Sequence, residues 1–263
     1  MNFSFKKKNI FISGGTHGIG LACVENFLKY GGQVITFSRN SKNILTTKKK
    51  FKRFKDKIHI YKGDILDRNF IEDLSKTILK KFKKIDVLVH NVGGGGRWGQ
   101  SSIQKNDFRV WDEVYRKNND GLILFTKHFI DGMIKKKWGR VIAISSICGI
   151  ETLEEDRPWF AAAKSAQNSI IKNLSKKKIY CSKNITFNSV SPGPIFIKGT
   201  GWEAIKKKNN ENFLSWIKKE IPVNKMGTTE DVANAVIFFA SNYSKFINGS
   251  NLVIDGGKTS AII

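Results

Sequence analysis

Ser146, Phe160 and Lys164 are the residues around which a reaction could be arranged. A serine hydroxyl can polarise a carbonyl by hydrogen bonding to its oxygen. An ammonium can lower the pKa of a neighbouring acid or stabilise developing negative charge. Phe160 and Lys164 are four apart in a segment rich in helix formers (Ala161, Ala162, Ala163), with Pro158 where a first helical turn tolerates it. That spacing puts both side chains on one helical face. Upstream, Arg140 to Ser146 reads as an apolar strand ending in two hydroxyls. Ser146 is therefore offered at the C-terminal edge of a strand, where open α/β sheets bind ligands. Ser146 and Lys164 would face a common substrate carbonyl.

The elements that must position these residues can be read along the chain. Asn9 to Ser13 is a short apolar strand that runs into Gly14-Gly-Thr-His-Gly-Ile-Gly20 and then a helical segment from Leu21 to Tyr30. Strand, glycine turn and helix together make a phosphate cradle, with backbone N–H groups and the helix dipole facing a pyrophosphate. A second strand, Gln33 to Phe37, ends at Ser38-Arg39. An acid at this tip would bind an adenosine ribose 2′-OH and repel a 2′-phosphate, so the absence of one and the presence of Arg39 favour NADP(H). After a charged, loosely helical stretch from Asn43 to Lys57, Ile58 to Ile65 reads as a third strand ending at Asp64. A helix from Asn69 to Phe82, a strand from Ile85 to Val89, a helix from Asp107 to His128 and a strand from Ile185 to Val190 follow. Gly93 to Gly96 predicts a permissive loop serving substrate entry. Lys198 to Met226 is the stretch least like a rigid element, and Thr228 or Thr229 caps a last helix running to Ser241.

With these motifs in this order, the whole chain resembles the short-chain dehydrogenase/reductase family, whose centre is a Ser, a Tyr and a Lys in the pattern S…YxxxK with an Asn upstream. Ser146 matches the Ser, Lys164 the Lys and Asn118 the Asn, while Phe160 stands at the Tyr position. The glycine turn is similar to TGxxxGIG with Ser13 for Thr, His90-Asn-Val-Gly93 to NNAG, Asn118-Asn-Asp-Gly121 to NLxG, and Ser191-Pro-Gly-Pro-Ile195 to the family's PG motif. The resemblance implies a single-domain α/β fold, a Rossmann-type doubly wound parallel sheet of about seven strands. It implies an oxidoreductase that interconverts a ketone and a secondary alcohol. It assigns cofactor binding to Gly14, Thr16, His17, Gly18, Ile19 and Gly20, to Ser38 and Arg39 at the adenosine ribose, and to Asp64 and Ile65 near the adenine. Asn91 would steady the central sheet, Gly93 make room for cofactor, and Lys164, Pro192, Gly193 and Ile195 line the nicotinamide. Asn118 would hold a water at a local helix distortion and join Lys164 to solvent as a proton relay. Residues 198–226 would form a mobile substrate lid, and the chain would assemble as a homodimer or homotetramer.

In the family the Tyr hydroxyl protonates the carbonyl oxygen as hydride arrives, and Phe160 has no proton to give. Loss of such an acid costs roughly 10²–10⁴ in rate. The favoured reading is a reductase whose proton donor has been removed, whether by nature or by engineering. The alternatives are a catalytically inactive binding or regulatory homologue, and an enzyme in which Glu155 or Asp156 substitutes as an acid of raised pKa. The resemblance offers a 3-oxoacyl group on a carrier protein or a keto-sugar as substrate. The acidic tract Glu151, Glu154, Glu155 and Asp156 tilts the choice towards a polar, hydroxylated molecule.

Composition limits these readings. At 263 residues the chain is the size of one large α/β domain, and its 40% hydrophobic and 26% charged content is ordinary for a globular protein. Its apolar runs are strand-sized or helix-sized, and charge follows the first apolar residues, so neither a membrane span nor a signal peptide is expected and the location should be cytoplasmic. Cys23, Cys148 and Cys181 are far apart and without metal-ligand spacing, which points to reduced thiols and away from zinc. The net charge of +24 is the outlier. Its lysines come in short clusters without a nucleic-acid-binding motif, so the expectation is anionic small molecules and no specific nucleic acid.

Overall fold

The computed structural model describes residues 1–95, 98–99, 102–152 and 157–262. Seven strands form one sheet: β1 (Asn9–Ser13), β2 (Gln33–Ser38), β3 (Ile58–Lys62), β4 (Val87–His90), β5 (Gly139–Ile144), β6 (Ile185–Pro192) and β7 (Asn251–Ile254). Their order is β3-β2-β1-β4-β5-β6-β7, and every pairing is parallel. The order reverses between β1 and β4, and a doubly wound sheet opens a ligand crevice beyond the carboxyl ends of its strands at that switch point.

Alternation along the strands decides which side chain meets which face. Ile10 and Ile12 of β1 pack with Val87 and Val89 of β4 in one core, whereas Phe11 and Leu88 point into the other. The first core is covered by α1 (Gly18–Lys29) and, after the helices below, by Thr229–Ala240 at the C-terminal end. Between β2 and β3 lies α2 (Ser41–Lys50), and the opposite face is covered by α3 (Arg68–Phe82), α4 (Phe108–Lys136) and α5 (Pro158–Leu174). The short α6 (Lys178–Cys181) precedes β6. Next come α7 (Gly201–Lys208), α8 (Asn210–Glu220) and α9 (Thr229–Ala240).

Several boundaries differ from the sequence expectations, for physical reasons. The helix expected over Asp107 to His128 runs as α4 to Lys136, because Phe129, Ile130 and Met133 continue its buried face, and Lys137 ends it in the left-handed region. The strand expected to reach Ser146 stops at Ile144, and Ser146 caps a 3-10 turn, accepting from the Cys148 N–H at 3.2 Å. The third strand ends at Lys62, ahead of Asp64, whose carboxylate accepts from the Leu66 N–H. The stretch expected to be least element-like, 198–226, contains α7 and α8. Phe213, Ile217 and Ile221 at four-residue spacing pack under Phe196, Trp202 and Trp216, and Asn209 caps α8 on the Asn212 N–H. Thr228 is the N-cap of α9, in a capping box with Asp231. Gly96, the end of the expected permissive loop, and Glu154, Glu155 and Asp156 lie outside the described residues. Among the described residues no helix is long and apolar enough to cross a membrane, and no three His, Cys, Asp or Glu side chains cluster as metal ligands would.

Candidate active site

The carboxyl edge of β1, β4 and β5 gathers most of the sequence-predicted residues. Ser13, the last residue of β1, uses its Oγ to accept from the Asn91 and Val92 N–H groups, both at 2.9 Å. Asn91 returns the tie, its Nδ2 donating to the carbonyls of Ser13 and Gly14 at 3.0 and 3.2 Å. The glycine turn is thereby fixed to the end of β4. A Cβ on Gly20 would stand 2.4 Å from the Gly14 carbonyl oxygen and 2.5 Å from Asn91 Nδ2, so this approach admits only glycine.

The turn delivers the N-terminus of α1, which, like those of α5, α6 and α7, carries no side-chain cap. Asn40, Asp67, Asp107 and Thr228 cap α2, α3, α4 and α9 with their side chains, but His17 makes no capping bond to α1. The first N–H groups of α1, with the positive end of its dipole, are left for an anion from outside the chain. The glycine turn, the close Gly20 approach and this uncapped start fit a dinucleotide's pyrophosphate. His17 itself is exposed and lies with Nε2 3.1 Å from the Lys198 carbonyl, so it joins the turn to the segment before α7. Thr16 is buried and Ile19 half-buried beside it.

At the tip of β2, Ser38 Oγ accepts from the Asn40 N–H, and the Arg39 guanidinium lies 3.4 Å from the Asp64 carboxylate. The two residues expected at the adenosine end are therefore paired with each other, in a setting exposed enough for a ligand to compete. Ile65 is buried against Gly121 of α4. Lys117, which sequence reasoning did not single out, sends its ammonium to 3.9 Å from the centre of the Trp98 ring. Burial, followed by the nearby Arg39 charge, lowers its pKa.

Lys164 is buried on α5, with Phe160 one turn earlier and 5.9 Å from Nζ to the ring centre. Phe160 packs beside Val114, Trp159 and Ala163. The 3-10 turn carrying Ser146 is bolted to the same stretch of α5. Ser145 Oγ donates to the Lys164 carbonyl, and Ser165 and Asn168 donate to the Gly149 carbonyl. Gly93 must lack a side chain here, since a Cβ would lie 2.6 Å from Asn118 Oδ1 and 3.0 Å from Lys164 Nζ. The structure thus brings Gly93, Asn118 and Lys164 together, with Phe160 one turn from Lys164 and the turn that begins at Ser146 tied to α5.

Asn118 ties α4 to the loop after β4. α4 is continuous through it, and its side chain binds the Gly94 backbone on both sides, accepting from the N–H at 3.2 Å and donating to the carbonyl at 2.9 Å. Its own carbonyl accepts from Gln167 Nε2 and His90 Nε2, both at 2.8 Å. A carbonyl only accepts, so the His90 proton is on Nε2, and Nδ1 takes the Ser13 hydroxyl at 3.3 Å. Gln167 Oε1 in turn accepts from Lys164 Nζ at 3.1 Å, and that ammonium also donates to the Ile144 carbonyl at 2.8 Å. Asn119, the departure from NLxG, donates to the Ala163 carbonyl and so links α4 to α5. Burial brings the Lys164 pKa down to about 7. Burial, with the Lys164 charge second, pushes His90 down to about 3. Gln167 and His90 were not singled out as site residues. A polar residue three positions after Lys164, on the same helical face, was the signal that could have found Gln167.

Beyond β6, Gly193 donates to the Ile254 carbonyl at 2.9 Å, and Pro192 closes the strand beside Ile254. Ile195 is buried and bridges to Gly227 through the Pro194 carbonyl and the Phe196 N–H. Its own N–H and carbonyl are not used in that bridge.

Comparison with known proteins places this geometry. A family model described as enoyl-(acyl carrier protein) reductase matches residues 14–259. The 3-oxoacyl-(acyl-carrier-protein) reductase of Thermotoga maritima is 30% identical over 250 residues, spanning 95% of this chain and 97% of that protein. Gluconate 5-dehydrogenase of Gluconobacter oxydans is 25% identical over 259 residues, spanning 98% and 96%. The solved structure of ElxO with NADP bound superposes with a TM-score of 0.84 at 28% identity, covering 97% of this chain and 99% of that one. The chain belongs to the short-chain dehydrogenase/reductase family.

Proposed function

We propose that this protein binds NADP(H) in the crevice between β1 and β4 and acts on a ketone and secondary-alcohol pair, with no proton supplied by residue 160. The observation that carries the reading is the convergence of Ser146, Lys164, Asn118 and Gly93 at the carboxyl edge next to the uncapped α1 N-terminus. In this reading the glycine turn and α1 bind the pyrophosphate, Arg39 exchanges Asp64 for the 2′-phosphate, and the amide of Ile195 holds the carboxamide. The bound nicotinamide supplies or accepts the hydride. Ser146 orients and polarises the substrate oxygen, and Lys164 places a buried positive charge at the same point. Phe160 fills the ring position and excludes water without offering a proton, so the oxygen must be protonated by another route and the chemical step is slow.

A 3-oxoacyl compound or a polyhydroxy ketone is the substrate class supported by the two curated relatives. Of the acidic tract that tilted the choice towards sugars, Glu151 is occupied: its carboxylate accepts from the N–H groups of Ser260 and Ala261 at 2.8 and 3.1 Å.

Fluorescence titration tests the cofactor assignment. NADPH is expected to bind more tightly than NADH, and Arg39→Ala to weaken NADPH by roughly tenfold or more while leaving NADH nearly unchanged, as loss of one charge-assisted contact implies. Equal affinity for the two nucleotides in the unaltered protein would contradict it.

A further inference from the structure

Four polar side chains, joined through the Asn118 carbonyl, meet in the buried space between β1, β4, α4 and α5 and form one unbroken chain of hydrogen bonds. The Ser13 hydroxyl donates to His90 Nδ1, and His90 Nε2 donates to the Asn118 carbonyl. The same carbonyl accepts from Gln167 Nε2, whose Oε1 receives Lys164 Nζ. His90 and Gln167 are fully buried and each has both of its polar ends matched. We infer that Gln167 is a positioning residue for Lys164: its amide bridges the Asn118 carbonyl to the ammonium and offers it a fixed, neutral acceptor.

Two consequences follow from the chemistry of the groups. The ammonium cannot swing, because one N–H is held by the Ile144 carbonyl and a second by Gln167 Oε1, while Gly93 leaves it just enough room. A primary amide oxygen accepts a hydrogen bond but does not readily take up and pass on a proton, so Gln167 holds Lys164 in position without itself relaying a proton. The inference concerns the apoprotein and does not depend on which cofactor or substrate fills the crevice.

The groups facing Lys164 from each packed element are few. His90 lies at the end of β4, neutral in the fold, and Cys148 in the turn after β5 favours the charged lysine. On α4 the nearest charge, Lys117, is turned onto Trp98. Gln167 is the side-chain acceptor on the ammonium among the described residues, so altering it must move the titration of Lys164.

The test is lysine titration by 13C NMR on protein labelled at the lysine Cε, with the Lys164 resonance assigned by its loss in Lys164→Arg. Removing an acceptor that favours the charged form lowers a pKa, and a nearby carboxylate raises it. Gln167→Leu is therefore expected to shift the Lys164 midpoint down by about one unit or more, and Gln167→Glu to shift it up by a similar amount. Circular dichroism checks the fold of both, and the glutamate variant, equal in length and still an acceptor, serves if the leucine variant does not fold. Midpoints unchanged in the folded variants, or a downward shift in Gln167→Glu, would overturn the assignment and leave Gln167 as packing.

Discussion

His90 and Lys164 are both buried, and both favour the fold as pH rises, each in its own window. His90 titrates at about 3 in the fold against an ordinary 6.5. As pH falls through that window the unfolded chain takes a proton that the folded chain refuses, so stability is lost. Lys164 titrates at about 7 against 10.5. Its cost is fully present below about 7 and is relieved as pH rises towards 10.5. His90→Asn is therefore expected to flatten the acid side of the stability profile, whatever it does at neutral pH. Urea unfolding midpoints measured from pH 7 down to 4 would show a shallower decline in the variant, and parallel declines would contradict a neutral, buried His90. Residue 90 stands where the family's NNAG has an asparagine, and its departure was visible in the sequence. Its consequence was not, because the Asn118 carbonyl and Gln167 that fix it come from α4 and α5, distant in the chain.

Elements defined by local chemistry were legible, and those defined by tertiary partners were less so. The glycine turn between an apolar strand and a helix could be placed from the order of residues alone, and so could the Phe160 to Lys164 face and the Thr228 cap. The helices α7 and α8 were not legible because lysines and asparagines hide the four-residue spacing of Phe213, Ile217 and Ile221. The spacing matters only once Phe196 and Trp202 arrive to cover it. The partners of the Asn118 carbonyl come from β4 and α5, and neither could be found by a scan of α4 itself. The candidate site was thus readable as a set of positions, while the hydrogen bonds that set their ionisation needed the fold.

At the scale of the molecule, a charge of +24 opposes self-association, yet α4 keeps Tyr115 and Ile123 on its surface and β7 is an open edge strand. These features support a homo-oligomer built on α4 and β7. Light scattering at micromolar concentration should give the mass of two or four chains, with the larger species favoured by salt that screens the charge. A monomer at all salt concentrations would contradict it. The account rests most heavily on one oxygen atom, missing at residue 160. The most direct measurement is NADPH oxidation by Phe160→Tyr and by the unaltered protein across a panel of 3-oxoacyl thioesters and keto-sugars. The expected result is turnover in the tyrosine variant at least roughly 10²-fold above the phenylalanine form, with little change in cofactor affinity, since the ring that packs the site is kept. No turnover by the tyrosine variant on any substrate, or fast turnover by the phenylalanine form, would contradict it.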